Sequence, residues 1–351
     1  MKSRVLTAVV GGLAILVGLG GGVSVAADNV SFAGKTVNLT LGFEAGSGVD
    51  LYARVIARHL STYLPGKPNV IVFNQPGAGG VVALNSWSAK SEPDGLSVAV
   101  VAQTQIDPEA IFRTNAKYEP VKFEHIGGVG GPSQALIISK DAVKRLTDKS
   151  QPPVNMGIVG TSLRTGYYQA LWGTAFLGWN VKWVPGYQQT GQVRQAMERG
   201  EIDMTAFGGE RDISYLNKTG KFTAVTQSGQ HAGGKRIGRD VIGNAPILSD
   251  LVQGKIKDAA IKEAFDYSEN VLQLGKWLIL PAGTPDAIVD AYVKAYDAIL
   301  TDPTYQNEIA RIDPDSPVVK KAALDKLMVD LSKVSKKTIE HIHVVMRSQG
   351  L

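Results

Sequence analysis

The sequence predicts an α/β protein of two domains, with mostly parallel sheets and flanking helices. Short apolar runs typical of buried strands alternate with amphipathic stretches typical of helices. The chain has 351 residues, which suits two domains of ordinary size. No linker rich in Pro, Gly or Ser separates two halves, so we expect the domains to be joined by crossing strands.

The first 27 residues have the pattern of a secretory signal and are set apart from the fold. Lys2 and Arg4 precede an apolar stretch, and residues 24–27 offer small side chains for cleavage. The apolar stretch is too short for a comfortable membrane span, although an uncleaved N-terminal anchor is the alternative. An exported chain without cysteine is expected in a periplasm.

Charge and composition exclude several classes of function. Removing Lys2 and Arg4 lowers the formal net charge from +5 to +3, which gives no electrostatic reason to expect nucleic acid as a partner. The small positive charge is compatible with a small acidic ligand. The absence of cysteine excludes disulfides, thiolate zinc sites and cysteine nucleophiles.

The elements follow from the apolar pattern. Strands are expected over residues 37–43, 70–73, 96–102, 135–139, 156–159, 181–184, 203–207, 222–225 and 277–280. Helices are expected over residues 50–63, 81–89, 167–176 and 192–199, then from Thr284, from Pro303 and over about 319–347. Tyr52, Val55 and Leu60 share one face of the first helix. Thr284, followed by Pro and Asp, is typical of a helix start.

The strongest local signal is a glycine-rich turn between the first strand and the first helix. Backbone N–H groups of such a turn, together with the positive end of the helix dipole, form an anion site. The predicted ligand-binding residues here are Phe43, Gly46, Ser47, Gly48 and Asp50. The turn lacks the Lys of a P-loop and the third glycine of a dinucleotide fingerprint, which favours a small carboxylate or phosphate. In the alternative interpretation Ser47 is only an N-cap and Asp50 only a partner of Arg54.

A second polar turn follows the strand at 156–159 and precedes a helix. Its candidate ligand-binding residues are Gly160, Thr161, Ser162 and Arg164. The planar guanidinium of Arg164 matches a carboxylate in two hydrogen bonds. Two such turns, one from each domain, would hold one anion between them. In the alternative interpretation Arg164 is a solvent-exposed loop residue that does not contact a ligand.

Four further residues are expected to line the cleft between the domains. Gln103 and Thr104 follow the third strand, while Tyr187 and Phe207 would face them from the second domain. The turn Asn-Gln-Pro-Gly-Ala-Gly-Gly at 74–80 is another glycine-rich turn, and by itself it is more often structural.

Signals for catalysis are poor, so we expect no enzyme, no metal and no cofactor. The sequence contains no H-E-x-x-H, G-x-S-x-G or S-x-x-K motif. His341 and His343 are two residues apart on an expected helix and point to different faces. Carboxylates such as Glu44, Asp203 and Glu210 form a catalytic pair only if the fold brings them together.

Six short motifs occur in a characteristic order. They are Ala-Gly-Ser-Gly-Val-Asp at 45–50 with Ala-Arg at 53–54, Asn-Gln-Pro-Gly-Ala-Gly-Gly at 74–80, Pro-Asp-Gly-Leu at 93–96, Val-Pro-Gly-Tyr at 184–187, Gly-Glu-Ile-Asp at 200–203 and Pro-Ala-Gly-Thr-Pro at 281–285. In this order they resemble the periplasmic solute receptors of tripartite tricarboxylate transporters, the Bug-type receptors. The chain departs from the family pattern at Ala45, Ser47 and Gln75, and its second anion turn lacks the family's G-x-G-S-x-x-H pattern.

The resemblance implies a two-domain fold like that of periplasmic binding proteins. Domain one would comprise residues 30–130 and 224–351, and domain two residues 131–223. Such receptors bind a small organic carboxylate between the domains and deliver it to a membrane permease, and we expect a monomer. Two alternatives stay open: a receptor that signals to a membrane sensor kinase, and an exported α/β enzyme that acts on a small acid.

Overall fold

The computed structural model describes residues 30–113, 116–159, 165–187, 190–232, 235–312, 314 and 316–351. The expected signal at 1–27 lies outside these ranges. The described residues form an α/β fold with two mixed sheets, a small hairpin and flanking helices, so the predicted fold class is confirmed. No helix among the described residues is long and apolar enough to cross a membrane.

The first sheet has six strands in the order β13-β4-β12-β3-β1-β2. Its parallel part consists of β1 paired with β2 and with β3, and the other three pairings are antiparallel. The strands are β1 (Thr36–Leu41), β2 (Asn69–Asn74), β3 (Ser97–Ala102), β4 (Glu124–Val129), β12 (Lys276–Leu280) and β13 (Val318–Lys320).

The second sheet has five strands in the order β7-β6-β8-β5-β9. The strands are β5 (Ala135–Ser139), β6 (Val154–Val159), β7 (Val181–Tyr187), β8 (Met204–Phe207) and β9 (Phe222–Gln227). A separate antiparallel hairpin joins β10 (Gln230–Ala232) to β11 (Lys235–Ile237).

The helices lie between these strands and continue to the C-terminus. They are α1 (Gly48–Tyr63), α2 (Val81–Lys90), α3 (Gln103–Ile106), α4 (Pro108–Arg113), α5 (Tyr168–Leu177), α6 (Thr190–Glu198), α7 (Glu210–Lys218), α8 (Leu248–Val252), α9 (Ala259–Val271), α10 (Asp286–Leu300), α11 (Pro303–Ile312), α12 (Lys321–Ser332) and α13 (Lys336–Ser348).

Two expectations are corrected by this architecture. The sheets are mixed rather than mostly parallel, because β4, β5, β9 and β12, which lie near the crossings between the sheets, run antiparallel to strand neighbours. The single helix expected over about 319–347 is a short strand followed by two helices. Ser335 begins the second helix, since its hydroxyl accepts a hydrogen bond from the Thr338 N–H at 3.1 Å.

The chain passes directly from one sheet to the other. It leaves the first sheet at Val129 and enters the second at Ala135, and it returns to the first sheet at Lys276. The two sheets also share a layer of helices. Trp172 of α5 donates a hydrogen bond to the Ser268 hydroxyl of α9 at 2.8 Å, and one apolar core cluster includes buried residues of both sheets. The boundaries of the two domains stay a prediction.

Candidate functional site

The loops that follow β1, β2 and β3 gather at one edge of the first sheet, because these parallel strands end together. Lys276 pairs with both Ala102 and Val129, so β4 ends at this same edge, where the chain crosses to the second sheet. In the second sheet Ala135 pairs with Phe207 and with Gln227, which places the ends of β8 and β9 beside that crossing. The predicted site residues that are described lie on these two edges.

The first glycine turn caps α1. Ser47 is the N-cap, and its hydroxyl accepts a hydrogen bond from the Asp50 N–H at 3.2 Å. Gly46 takes a positive φ of 82°, which glycine adopts without a steric penalty. The N–H groups of Gly48 and Val49 have no acceptor among the described residues, and Gly48 is exposed. The turn therefore offers free donors at the positive end of a helix of 16 residues.

Asp50 holds this turn in shape. Its buried carboxylate accepts hydrogen bonds from the Gly46 N–H at 2.8 Å, from Arg54 Nε at 2.9 Å and from Asn74 Nδ2 at 2.9 Å. Burial alone would raise the pKa of Asp50, but the hydrogen bonds from Arg54, Gly46 and Asn74 outweigh it and lower the pKa. The two contacts expected if Ser47 and Asp50 have only structural roles are therefore present: Ser47 caps α1, and Asp50 pairs with Arg54. An ionised Asp50 would repel an anion at close range, so its use in a binding site is to position the turn.

The glycine-rich turn after β2 packs directly against the first turn. A Cβ on Gly42 would lie 2.3 Å from the Gly80 Cα, so this close approach requires glycine. Four consecutive residues, 77–80, have positive φ, and Ala78 with φ 47° is the one among them with a side chain. Backbone strain of this kind concentrates at functional sites and is held by the surrounding structure.

Residues after β3 provide that support. Thr104 Oγ1 donates a hydrogen bond to the Gly79 carbonyl at 2.6 Å, and the buried Gln105 Nε2 donates to the Gly80 carbonyl at 3.1 Å. The predicted residue Thr104 is exposed and Gln103 is half-buried, both at the start of α3. Gln103 and Thr104 therefore lie beside the 77–80 turn, which in turn contacts the first glycine turn.

The second edge contains a cavity of about 360 Å³. The predicted residue Phe207 is buried and lines it, while the predicted residue Tyr187 is half-buried at the end of β7 and is not part of its wall. The wall consists of Pro132, Gln134, Val159, Gly166, Tyr167, Thr190, Ala206, Phe207, Gly208, Gly209 and Asp212. Gly160, Thr161, Ser162 and Arg164 lie outside the described residues.

Several residues of this region were missed from the sequence. Tyr167 lines the cavity, and its hydroxyl accepts a hydrogen bond from the Val159 N–H at 3.0 Å. Gly208 and Gly209 lie between the end of β8 and the start of α7. Two glycines between a strand and a helix are visible in the sequence and could have indicated this turn. Asn74 joins the first two turns, a contact that sequence spacing does not reveal.

Two further observations on the described residues concern sites elsewhere in the chain. Another cavity, of about 840 Å³, is lined mainly by residues of α8, α9 and the end of α12, and by none of the predicted site residues. Within the described ranges, no group of three His, Asp or Glu side chains is arranged to hold a metal ion.

Comparisons with known proteins show which fold this geometry belongs to. No family model matches the sequence. A curated relative, the UPF0065 protein in gbd 5'region of Cupriavidus necator, is 24% identical over 319 residues, covering 89% of this chain and 88% of the relative. A TctC solute binding protein from Polaromonas has a TM-score of 0.67 and 18% identity, covering 90% of this chain and 100% of that protein. The chain has the fold of the TctC solute-binding proteins.

Two further structures that are similar to this chain contain acids. MatC from Rhodopseudomonas palustris, with bound malate, has a TM-score of 0.51 and 19% identity, covering 86% of this chain and 98% of that protein. An R. palustris protein with adipate has a TM-score of 0.55 and 16% identity, covering 88% of this chain and 96% of that protein. At these identities the comparisons show the fold of the chain.

Proposed function

We propose that the chain is a receptor of the TctC and Bug type, located in the periplasm, that binds a small organic carboxylate between its two sheets. The observation that carries this proposal is the N-terminus of α1, where the N–H groups of Gly48 and Val49 have no acceptor among the described residues and the turn before them is held by Asp50 and Asn74. Free donors at a helix N-terminus are an anion site.

The electrostatics of the turn favour a negatively charged group. Arg54 lies 2.9 Å from Asp50 and compensates its charge, so the helix dipole and the N–H donors dominate the local field. A hydrogen bond to a charged group contributes roughly 1.5–3 kcal/mol. Micromolar affinity corresponds to about 8 kcal/mol, so four or five such contacts are enough after ordering costs.

The remaining contacts would come from the second edge. We place the ligand between the α1 turn and the wall formed by Phe207, Tyr167 and the 208–209 turn, with Arg164 and its neighbours completing the site as predicted. The malate and adipate in proteins of the same fold support a carboxylate as the ligand class. Each of these acids has two carboxyl groups, which would allow one group to be held at each edge.

The domain assignment and the transporter belong to the same proposal. Residues 30–130 with 224–351 would form one lobe, residues 131–223 the other, and the crossing segment 130–134 would carry their closure on the ligand. The receptor would deliver its acid to a membrane permease of a tripartite tricarboxylate-type transporter after export with the signal at 1–27.

A thermal-shift screen tests the receptor function. Protein refolded from denaturant, and so freed of ligand, is heated with malate, with adipate and with putrescine as a cationic control. A ligand at 100 times its Kd stabilises the native state by about 2.7 kcal/mol, which raises Tm by several degrees. We expect stabilisation by at least one acid and none by putrescine. Equal stabilisation by putrescine would contradict the anion site, and consumption of the acid over hours by NMR would indicate the enzyme instead.

A further inference from the structure

The outer strand of the first sheet has an open hydrogen-bonding edge. Within the described ranges β2 pairs with β1 alone. The Asn69 N–H donates to the Lys35 carbonyl at 3.1 Å and the Gln75 N–H donates to the Leu41 carbonyl at 2.9 Å. Because residues of a strand alternate in direction, the N–H and C=O groups of Val70, Val72 and Asn74 point away from the sheet.

The residues of this edge strand lack three of the usual protections against pairing. The six residues Asn-Val-Ile-Val-Phe-Asn include no charge and no proline, and none of their pairings with β1 is bulged. Val70 and Val72 pack against the core of the first sheet, whereas Ile71 and Phe73, on the opposite face, are 40% and 48% exposed. The strand therefore presents both unpaired backbone groups and two adjacent apolar side chains.

The pattern of this edge is self-complementary. In an antiparallel pair with its two-fold axis at Val72, Val72 faces Val72 of a second copy and Val70 faces Asn74. All the outward N–H and C=O groups of these three residues then form hydrogen bonds. The same register places Ile71 directly opposite Phe73, a β-branched and aromatic pair that stabilises antiparallel sheets.

We propose that β2 docks antiparallel onto β2 of a second copy of this chain, joining the two first sheets into one continuous sheet. This proposal is independent of the proposed ligand and differs from the monomer expected from the sequence. The contact is one strand wide, so the dimer is weak and forms at high protein concentration.

Cysteine cross-linking reads out the register directly, since the chain has no cysteine of its own. In the proposed register the Cα atoms of residue 71 and of residue 73 in the second copy are about 4.5 Å apart, whereas residues 71 in the two copies are about 8 Å apart. A disulfide needs Cα atoms within about 7 Å. We expect a mixture of the Ile71→Cys and Phe73→Cys proteins to form disulfide dimers under mild oxidation, and either protein alone to form at least tenfold fewer.

A control and a second measurement complete the test. Val344, exposed on α13, provides a control thiol: the Val344→Cys protein mixed with Ile71→Cys should stay uncross-linked. In sedimentation velocity, Val72→Pro removes an outward N–H that β1 does not use, and it should abolish concentration-dependent dimers while Val344→Lys keeps them. Cross-linking that is equal in all mixtures, or a wild-type protein that stays monomeric at about 500 μM, would overturn the proposal.

Discussion

Asp50 and Arg54 form an ion pair of 2.9 Å across one turn of α1, with the Asp50 side chain buried and the Arg54 side chain 45% exposed. The same carboxylate accepts the Gly46 N–H and the Asn74 amide, so one side chain joins the turn after β1 to the end of β2. The N-terminus of α1 is thereby held in place before any ligand arrives, which is the condition for efficient binding by backbone donors.

Replacing this carboxylate by an amide should loosen the turn. Asp50→Asn removes the ion pair and weakens the bond from Gly46, because an amide oxygen is a poorer acceptor and an amide has only one. We expect a loss of about 1–3 kcal/mol in the free energy of unfolding by urea. Asp286→Asn, an exposed change in the first turn of α10, is the matched control and should stay within about 0.5 kcal/mol of wild type. An equal loss of unfolding free energy in both variants would show that Asp50 does not position the turn.

The close approach of the first two turns should not tolerate a methyl group. Gly42→Ala places a Cβ 2.3 Å from the Gly80 Cα, and backbone cannot move aside as a flexible side chain does. We expect a lower Tm in calorimetry and weaker binding of malate or adipate. Gly254→Ala, where a Cβ would meet open space, should keep both values near wild type. An unaltered Gly42→Ala protein would show that the turns do not need this contact.

His125 should make the stability of the protein depend on pH. It is buried between the Pro120 carbonyl and Trp277 Nε1, and burial lowers its pKa to about 4. The unfolded chain binds the proton near pH 6.5, so between pH 6.5 and 4 protons favour the unfolded state and stability falls as the pH falls. The expected loss over this range is about 3 kcal/mol.

Urea unfolding at a series of pH values checks this expectation. His125→Asn should flatten the slope of unfolding free energy against pH between 6.5 and 4, whatever its effect on stability at pH 7. His343→Asn, at a more exposed position, is the control and should keep the slope. A slope that is the same in wild type and His125→Asn would assign the pH dependence to other groups.

Arg164 stays a prediction from the sequence, because it lies outside the described residues. If its guanidinium pairs with the carboxylate, Arg164→Ala should weaken binding of the best acid by at least about tenfold in calorimetry. Arg311→Ala on α11 removes an exposed arginine elsewhere and should bind as wild type does. Unchanged affinity in Arg164→Ala would reject the direct contact.

Local patterns in the sequence predicted the elements that build the first edge. The N-cap Ser47 and the apolar face of α1 are properties of adjacent residues, and so is the apolar run of β3. β4 was missed because Gly127 and Gly128 weaken the strand signal. Glycine is required at both positions by packing against distant residues. A Cβ on Gly127 would lie 2.3 Å from the Tyr296 ring, and one on Gly128 would lie 2.2 Å from the Trp277 Cβ.

The site itself was only partly predictable. The hydrogen bond from Asn74 to Asp50 joins residues 24 positions apart, so no local pattern in the sequence predicts it. The sequence predicts Tyr167 as the start of a helix, but its hydroxyl accepts a hydrogen bond from the Val159 N–H, eight residues earlier in the chain. Such contacts depend on how two elements pack, which spacing along one chain does not specify.

Removing one N–H from the α1 terminus tests the central claim most directly. Gly48 is the first residue of α1 and follows Ser47 in an extended conformation, so a proline is accepted there with its N–H missing. Gly48→Ala keeps the N–H and adds a Cβ into open space. In isothermal titration with malate or adipate, whichever stabilises the protein more, we expect Gly48→Pro to bind at least about tenfold more weakly than Gly48→Ala at similar Tm. Equal affinities of the two variants would contradict the account.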